Sequence, residues 1–306
     1  MTSEAAALAE GGPGAAETVR LSVIIVNWNT ADLLSACLAS LKCYLQSPAC
    51  QIIVVDNASS DSSAEMVREK FPAVELIVLP ENVGFSRGNN AGIERARGEF
   101  ILLLNSDTEV CDDALWILCD FLAEHPKAGA VGAQLISPDG SIQESCRSFP
   151  SHRTALFNRK SLLTRLFPSN RFSRAYLLSE DARSATREVD WVMGAALMTR
   201  RTVIEQVGML DPSFFMYAED VDWCYRMHKA GWKIFYVPEA KILHHYEKSA
   251  AKAPFRMIWE RHRSMWRFYK KHYSSGIWMD ALTWSGIGVR MLTLSALNLF
   301  RRRRAS

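Results

Sequence analysis

Three polar side chains, Asn27, Asp56 and Asp107, each stand at the end of an apolar segment, where they could bind a metal ion and a nucleotide. A strand that is buried on both faces reads as an apolar run and excludes ionised groups until the chain leaves the sheet. One such residue alone is typical of a turn or a helix N-terminus. The carboxyl ends of parallel strands share one sheet edge, however, and open α/β sheets bind ligands there. The three residues together therefore predict a metal and nucleotide site at one edge of a sheet.

Helical segments separate the strands that these residues end. Apolar residues recur at helical spacing over 31–45, and Thr30 stands at the N-cap position. The predicted strands are residues 21–26, 51–55, 74–79 and 100–104. This alternation of strands and helices favours an α/β fold with a mostly parallel nucleotide-binding sheet flanked by helices.

The composition is that of an ordinary globular protein, with 306 residues, 48% of them apolar and 23% charged. Seven cysteines form no CxxC pair and are odd in number, which favours a reduced, cytoplasmic setting. Residues 1–19 lack the basic start and apolar core of a signal peptide and are predicted to be a disordered tail. Residues 20–250 then form one domain, and residues 251–306 form a C-terminal helical extension. Residues 137–187 are irregular and are predicted to be a long excursion near the substrate.

A second group of residues that could do chemistry surrounds position 220. The small residues around Gly194 permit close backbone approach, and an aromatic run later meets Glu219, Asp220 and Asp222 at a predicted helix start. The helix dipole alone favours acids at this position, so the three carboxylates do not establish a site by themselves.

Six segments, taken in order, resemble the inverting nucleotide-sugar glycosyltransferases of family 2, whose fold is called GT-A. The segments are residues 26–29, 55–61, 82–90, 104–107, 219–223 and 238–245. Each segment alone is a weak signal, whereas their order and spacing together are specific, and the resemblance covers about residues 20–249. Within the family, the sequence is most similar to the rhamnosyltransferase-like branch that elongates lipid-linked glycans.

This resemblance implies a nucleotide-sugar site formed by Asn27, Asp56, Arg87, Asn90, Asn105, Ser106 and Asp107. Asp56 would accept the imino proton of uracil or thymine, and a mismatched base would leave this carboxylate unpaired. Asn105 would contact the ribose and Arg87 the phosphates.

The resemblance also implies a divalent cation, Mg²⁺ or Mn²⁺, bound between the protein and the donor diphosphate. Asp107 corresponds to the last acid of the family's Asp-x-Asp motif, whereas Asn105 replaces the first acid and departs from the pattern. His244 matches a later histidine of the family and would be the second protein ligand. His245 would face away, because adjacent strand residues point to opposite sides.

Asp220 aligns with the family's catalytic base. Inversion by single displacement needs one carboxylate that takes the proton of the acceptor hydroxyl while the metal stabilises the departing diphosphate. Glu219 would orient the acceptor, and Glu219 and Asp222 are the competing candidates for the base.

Positive charge is concentrated in the C-terminal extension. Residues 251–306 hold 12 Lys and Arg against two acids, a net charge of +10, so the rest of the chain carries −7. Aromatic and basic residues over 255–273 predict a basic amphipathic helix. Asp280 and Arg290 interrupt the apolar residues 277–300, so a membrane-spanning helix is not expected. Attachment to an anionic membrane surface is the favoured interpretation; packing on the catalytic domain and pairing in a homodimer are the alternatives, and no motif indicates nucleic acid.

The expected protein is thus a GT-A glycosyltransferase that transfers rhamnose from dTDP-rhamnose to a polyprenyl-diphosphate-linked saccharide. It would act in cell-envelope polysaccharide synthesis, as a peripheral protein at the cytoplasmic face of the membrane. The first rival is a sugar-nucleotide nucleotidyltransferase, which would carry a Gly-rich basic loop where this chain has residues 27–30. The second rival is a non-catalytic protein with the same fold, which would lack Asp220 or Asp107.

Overall fold

The computed structural model describes residues 18–150, 185–245 and 254–305. The strands in these residues are β1 (Leu21–Asn27), β2 (Cys50–Asp56), β3 (Glu75–Val78), β4 (Phe100–Asn105), β5 (Thr108–Val110), β6 (Ala128–Ile136), β7 (Cys146–Arg147), β8 (Arg187–Val189), β9 (Trp191–Val192), β10 (Ala196–Arg200) and β11 (Lys233–His244). The helices are α1 (Ala31–Ser40), α2 (Lys42–Leu45), α3 (Ser63–Lys70), α4 (Phe85–Arg95), α5 (Ala114–Glu124), α6 (Arg201–Val207), α7 (Glu219–Lys229), α8 (Pro254–His272) and α9 (Ile277–Ala305). Most of the predicted N-terminal tail and most of the predicted excursion, residues 151–184, lie outside the described residues.

One large mixed sheet forms the centre of the fold, with the strand order β3-β2-β1-β4-β10-β6-β11-β5 and β8 beside β11. The four strands β3, β2, β1 and β4 are parallel, as the alternation of strands and helices predicts. The next strand, β10, is antiparallel to both β4 and β6, while β6 and β11 run parallel. The parallel part of the sheet therefore holds the three predicted strand ends, and the mixed part extends it.

Helices cover both faces of this sheet, which explains why its strands are apolar throughout. Along β1, Val23 and Ile25 face one hydrophobic cluster and Ile24 faces the other. The first cluster also contains residues of α1, α2 and α5, and the second contains residues of α4, α6, α7 and α8. Two buried faces leave polar groups room only at the strand ends.

The helix predicted over residues 31–45 is two helices, α1 and α2, which meet at the fully buried Leu41. Thr30 does precede α1, but its hydroxyl makes no cap hydrogen bond. It donates instead to Asn27 Oδ1 over 2.6 Å. The side chain therefore belongs to the polar groups at the sheet edge rather than to the helix end.

The two C-terminal helices differ in how they meet the rest of the protein. In α8, Phe268 and Tyr269 are buried, and Phe268 belongs to the second hydrophobic cluster together with Trp223 of α7. The predicted aromatic face of this helix is therefore buried only in part, since Trp259 is 55% exposed. Helix α9 is exposed along most of its length. Helix α8 thus packs on the catalytic domain, which was one of the alternatives for the extension, whereas α9 does not.

No helix in the three described segments combines the length and the hydropathy that crossing a bilayer requires.

Candidate functional site

Five predicted site residues lie together where the parallel strands end, and we call them the strand-end cluster: Asn27, Asp56, Asn105, Ser106 and Asp107. The strand register explains this grouping, because Asn27 pairs with Asp56 across β1 and β2 and Val26 pairs with Asn105 across β1 and β4. Asn27, Asp56 and Asp107 are all buried. The sheet therefore brings these groups to one edge, as the sequence predicts.

Hydrogen bonds connect the members of the strand-end cluster. Asn27 Nδ2 donates to Asp56 Oδ1 over 3.3 Å, and the Ser59 amide donates to Asp56 Oδ2 over 2.9 Å. The Thr30 hydroxyl bonds Asn27 and also lies 3.1 Å from Ser106 Oγ. Because each polar group holds its neighbour, the Asp56 carboxylate is fixed before any ligand binds.

Asn105 carries an acceptor that the described residues leave unused. Its Oδ1 atom is buried and has no hydrogen-bond partner in the described part of the chain. A buried acceptor without a donor costs roughly 1–3 kcal/mol. A ligand hydroxyl is a donor that would remove this cost, in agreement with the ribose contact that the family resemblance implies.

Asp107 and His244 come together although 137 positions separate them. Strand β5 pairs antiparallel with β11 so that Thr108 lies opposite His244, and His244 Nε2 is 3.3 Å from Asp107 Oδ1. Both residues are buried. His245 points elsewhere, with its Nε2 atom 2.6 Å from Glu109 Oε1. The two adjacent histidines therefore face different sides of the strand, and it is His244 that faces Asp107.

The Asp107–His244 pair fits a divalent cation. His244 Nδ1 is 2.7 Å from Gln143 Oε1, an arrangement in which the second ring nitrogen can offer a lone pair to a metal. No group of three or more His, Cys, Asp or Glu side chains gathers around a common point in the described ranges. Two protein ligands suit Mg²⁺ or Mn²⁺ bound with a nucleotide, since the phosphates supply the remaining oxygens.

The second part of the site is residues 211–220, which we call the acid loop; it leads into α7 and includes the first two residues of that helix. Here Asp220 Oδ2 accepts a hydrogen bond from the Gly194 amide over 3.0 Å, and Asp220 Oδ1 accepts one from the Val221 amide over 2.8 Å. A Cβ atom at Gly194 would lie 3.4 Å from the Cβ atom of Asp220. The Gly194 amide thus reaches the Asp220 carboxylate directly, although the space at position 194 would also accept a Cβ atom.

Burial raises the pKa values of both Glu219 and Asp220, but their surroundings differ. Glu219 Oε2 is buried without a hydrogen-bond partner in the described residues, and after burial the charge of Asp220 contributes most to its well-raised pKa. For Asp220, the amides of Gly194 and Val221 and the charge of Arg147 oppose the effect of burial on the pKa. The surroundings therefore favour the charged form of the carboxylate more at Asp220 than at Glu219.

Asp222, the remaining competitor for the base, is fully engaged in the protein interior. It is completely buried, and it pairs with Arg226 at 2.9 Å, with Lys271 at 2.8 Å and with His272 at 2.7 Å. Its carboxylate therefore joins α7 to the end of α8 and has no oxygen turned to a substrate.

The acid loop contains backbone strain immediately before its carboxylates. Tyr217 and Ala218 both adopt left-handed conformations, with φ values of 68° and 62°. Non-glycine residues in this region cost roughly 1–3 kcal/mol each and persist only when their surroundings hold them. Helix α8 does so here, since Ser264 Oγ donates to the Met216 carbonyl over 2.8 Å and the Arg261 guanidinium lies 4.6 Å from the centre of the Tyr217 ring.

The loop before α4 packs against the acid loop. Gly84 has a φ of 88°, and a Cβ atom there would lie 2.5 Å from the Phe215 carbonyl oxygen. The same oxygen accepts a hydrogen bond from the Phe85 amide over 2.7 Å. Only glycine fits this position, because both the backbone angle and the available space exclude a side chain.

Two of the predicted nucleotide-binding residues are directed away from the strand-end cluster. Arg87 Nε donates to the Pro212 carbonyl over 3.4 Å, and the Asn90 amide exchanges hydrogen bonds with the Leu210 backbone over 2.8 and 3.1 Å. Both side chains lie on the groove between α4 and residues 207–212. The structure therefore joins α4 to residues 210–212 through Arg87 and Asn90, and in the described residues neither side chain bonds a member of the strand-end cluster.

Three residues of this region have no signal in the sequence: Gln143, which contacts His244; Arg147, whose charge acts on Asp220; and Ser264, which holds the acid loop. Each lies in a segment whose spatial neighbours are distant in sequence. Only the tertiary structure identifies them.

Comparison with known proteins agrees with this geometry. Residues 22–225 match the family profile described as Glycosyl transferase family 2. An N-acetylglucosaminyl-diphospho-decaprenol L-rhamnosyltransferase of Mycobacterium tuberculosis is 30% identical over 300 residues, which are 93% of this chain and 96% of that protein.

Solved structures of glycosyltransferases share the fold. The mannosyltransferase PcManGT of Pyrobaculum calidifontis, in complex with GDP-Man and Mn²⁺, superposes with a TM-score of 0.55 at 18% identity, covering 94% of this chain and 82% of its own. TarS of S. aureus, residues 1–349, superposes with a TM-score of 0.53 at 15% identity, covering 92% and 74%. The predicted GT-A fold is confirmed, and this chain is an enzyme of glycosyl transferase family 2.

Proposed function

We propose that this enzyme transfers rhamnose from dTDP-rhamnose to a polyprenyl-diphosphate-linked saccharide that ends in N-acetylglucosamine, with inversion at the anomeric carbon. Support for the substrates comes from the M. tuberculosis rhamnosyltransferase, whose match extends over nearly the whole of both chains. The match includes the C-terminal helices and not only the nucleotide-binding sheet. The reaction belongs to the synthesis of a cell-envelope polysaccharide.

The observation that carries the chemistry is the Asp220 carboxylate, which two backbone amides hold in place. Asp220 takes the proton of the acceptor hydroxyl as the acceptor oxygen bonds to the anomeric carbon and the bond from that carbon to the diphosphate breaks. Glu219, the buried neighbour of Asp220, orients the acceptor. Asp107 and His244 would hold a divalent cation, which would supply positive charge for the departing diphosphate.

Product analysis with purified full-length protein tests this proposal. The acceptor is a synthetic polyprenyl-diphosphate-N-acetylglucosamine, and the donors are dTDP-rhamnose, UDP-glucose and GDP-mannose at equal concentration. We expect a rhamnosylated lipid from dTDP-rhamnose alone, with the anomeric configuration inverted by NMR. Preferred use of another donor contradicts the rhamnose assignment, and retained configuration contradicts the role of Asp220.

We also propose that α9 binds an anionic membrane surface at the inner face of the cell membrane, where the lipid-linked acceptor lies. Large apolar side chains on α9 are exposed to solvent, among them Trp278 at 85%, Ile277 at 79% and Leu282 at 66%. Basic residues of α8 line a groove on that helix: Arg263, Arg267, Lys270 and Lys271. Of these, Lys270 is paired with Asp280 and Lys271 with Asp211 and Asp222, so Arg263 and Arg267 are the ones that would meet an anionic surface. Apolar insertion and about 1 kcal/mol per basic residue add in binding to an anionic surface. The seven cysteines, all described and all free thiols, suit a reducing compartment.

Truncation after Ser275 removes α9 and keeps α8 in the core, whereas a cut at residue 250 would also remove the buried Phe268. We expect the truncated protein to use a short soluble acceptor normally and to lose binding to vesicles that contain phosphatidylglycerol. The triple substitution of Ile277, Trp278 and Leu282 by Ser should act in the same way. Val78→Ser is the matched control, because Val78 is 48% exposed on the catalytic domain. Normal vesicle binding by the truncated protein contradicts the membrane role, and a change from dimer to monomer would identify α9 as a subunit contact.

A further inference from the structure

Gln143 holds His244 from two directions. Its Nε2 atom donates to the His244 carbonyl over 2.8 Å and to Ser137 Oγ over 3.1 Å, and its Oε1 atom lies 2.7 Å from His244 Nδ1. A backbone carbonyl only accepts hydrogen bonds, so the amide nitrogen of Gln143 has to face it. This contact determines the orientation of the amide and leaves Oε1 directed at the ring.

The orientation of Gln143 in turn determines which nitrogen of His244 carries the proton. An amide oxygen only accepts, so the hydrogen between Gln143 and His244 belongs to Nδ1. In a neutral imidazole, Nε2 then carries a lone pair. That lone pair faces Asp107 Oδ1 at 3.3 Å. Two acceptors at this distance repel each other, and a cation between them converts the repulsion into attraction.

The backbone around Gln143 is itself fixed to the sheet. The backbone amide of Gln143 donates to the Leu135 carbonyl over 2.8 Å, and Ile142 forms an isolated β-bridge with Ile136 at the end of β6. The short connection between β6 and β7 thus delivers one amide side chain to the back of a buried histidine. Ring orientation and tautomer are set by the same residue.

We propose that Gln143 is a positioning residue for the divalent cation, because it fixes His244 as the Nδ1–H tautomer and directs the Nε2 lone pair at the site shared with Asp107. This inference rests on the proposed function, in which His244 is a metal ligand. Partners of this kind, which contact a ligating histidine and not the metal, contribute about 10–100-fold to metal affinity.

Three variants of the full-length protein test how much Gln143 contributes to Mn²⁺ affinity through its contacts with His244. Gln143→Met keeps the length of the side chain but removes both the acceptor opposite Nδ1 and the donor to the His244 carbonyl, whereas Gln143→Glu restores the acceptor alone. His245→Gln is the matched control, because His245 is adjacent in sequence but pairs with Glu109. Mn²⁺ binding is measured by electron paramagnetic resonance with saturating dTDP, and in parallel with UDP. We expect the Mn²⁺ dissociation constant to rise about 10–100-fold in Gln143→Met, to rise by less than that in Gln143→Glu, and to stay unchanged in His245→Gln.

The tautomer provides a second readout that needs no metal and no activity. Long-range ¹H–¹⁵N spectra of histidine-labelled protein, assigned by comparison with His244→Gln, should show the Nδ1–H form in wild type and loss of its dominance in Gln143→Met. The Nε2–H form as the dominant neutral tautomer in the wild type overturns the inference.

The same measurements distinguish the inference from the function on which it rests. If Asp107→Ala abolishes Mn²⁺ binding and Gln143→Met does not weaken it, the cation site stands and the role of Gln143 is wrong. If the wild type binds no Mn²⁺ with either nucleotide, both the cation of the proposed function and the role of Gln143 are overturned, whereas glycosyl transfer is judged by product analysis.

Discussion

The strand-end cluster and the acid loop are held in place by different means. Neighbouring strands position the first, since the register of β1, β2 and β4 brings Asn27, Asp56 and Asn105 to one edge. The second leads into α7 and contains two successive left-handed residues. A helix some 50 positions later in the chain, α8, holds it through the Met216 carbonyl and through Asp222.

This difference indicates two kinds of preorganisation within one site. The sheet edge is rigid because every strand there has neighbours on both sides or is covered by helices. The acid loop is rigid only while α8 is docked, because strained residues persist only when their surroundings hold them. Changes at the sheet edge should therefore alter donor binding, and changes at the acid loop should alter turnover or stability.

The largest effect is expected at the sheet edge. Asp107→Ala should abolish metal-dependent donor binding and all turnover, because loss of a first carboxylate oxygen leaves the cation and diphosphate charges poorly compensated. Calorimetry of dTDP binding with and without Mn²⁺ measures this, with His245→Gln as the control. Wild-type activity that survives complete chelation of divalent cations would contradict the predicted cation site. The absence of that site would then be explained by Asn105, which stands where the family has an acid.

The next largest effect is expected at the acid loop. Asp220→Asn should leave donor affinity unchanged and lower the turnover rate by roughly 10²–10⁴, the usual contribution of a positioned general base. The control is Asp139→Asn, which removes an equal charge from an exposed turn. Near-normal turnover would remove Asp220 from the base role. A loss of donor affinity would show that the acid loop contributes to donor binding as well as the strand-end cluster.

The contact between α7 and α8 tests how the acid loop is held. Asp222→Ala should lower the free energy of unfolding by about 1–3 kcal/mol, because it removes a fully buried carboxylate that Arg226, Lys271 and His272 share as a hydrogen-bond acceptor. Urea denaturation measures this. Glu188→Ala breaks the Lys233–Glu188 pair, whose side chains are 47% and 48% exposed, and should cost about 1 kcal/mol or less. Equal effects of the two substitutions would mean that α8 does not stabilise the loop through Asp222.

The smallest effect is expected for Glu219→Gln. Since burial raises the pKa of Glu219 in the folded protein, the folded state holds this proton more tightly than the unfolded chain. The stability that the proton confers is complete below the unfolded pKa of about 4.3 and is lost as pH rises through the folded pKa. The Gln variant, which cannot ionise, should therefore be more stable than wild type at neutral pH, and the difference should shrink towards pH 4. Urea midpoints between pH 4 and pH 8 measure this, and parallel curves would show that Glu219 titrates as an ordinary carboxyl.

Much of the sheet edge can be predicted from sequence, because its determinants are local. An apolar run that ends in a polar residue identifies both the strand and the position of the side chain, as at Asn27, Asp56 and Asp107. Parallel strands then bring such ends together without further information. The two-residue period of a strand also predicts that His244 and His245 face opposite sides, and the structure directs only His244 at Asp107.

The sequence by itself therefore determined the class of fold, the polar strand ends and the acids at the start of α7. Tertiary structure alone decided that Asp222 is engaged in the interior, since Asp222 is paired with Lys271 and His272 of α8. It also decided that α8 belongs to the core while α9 does not, and that Gln143 stands behind His244. The physical reason is the range of the interactions: periodicity and strand ends are properties of neighbouring residues, whereas burial, ion pairing and the tautomer of a histidine depend on groups that only folding brings into contact.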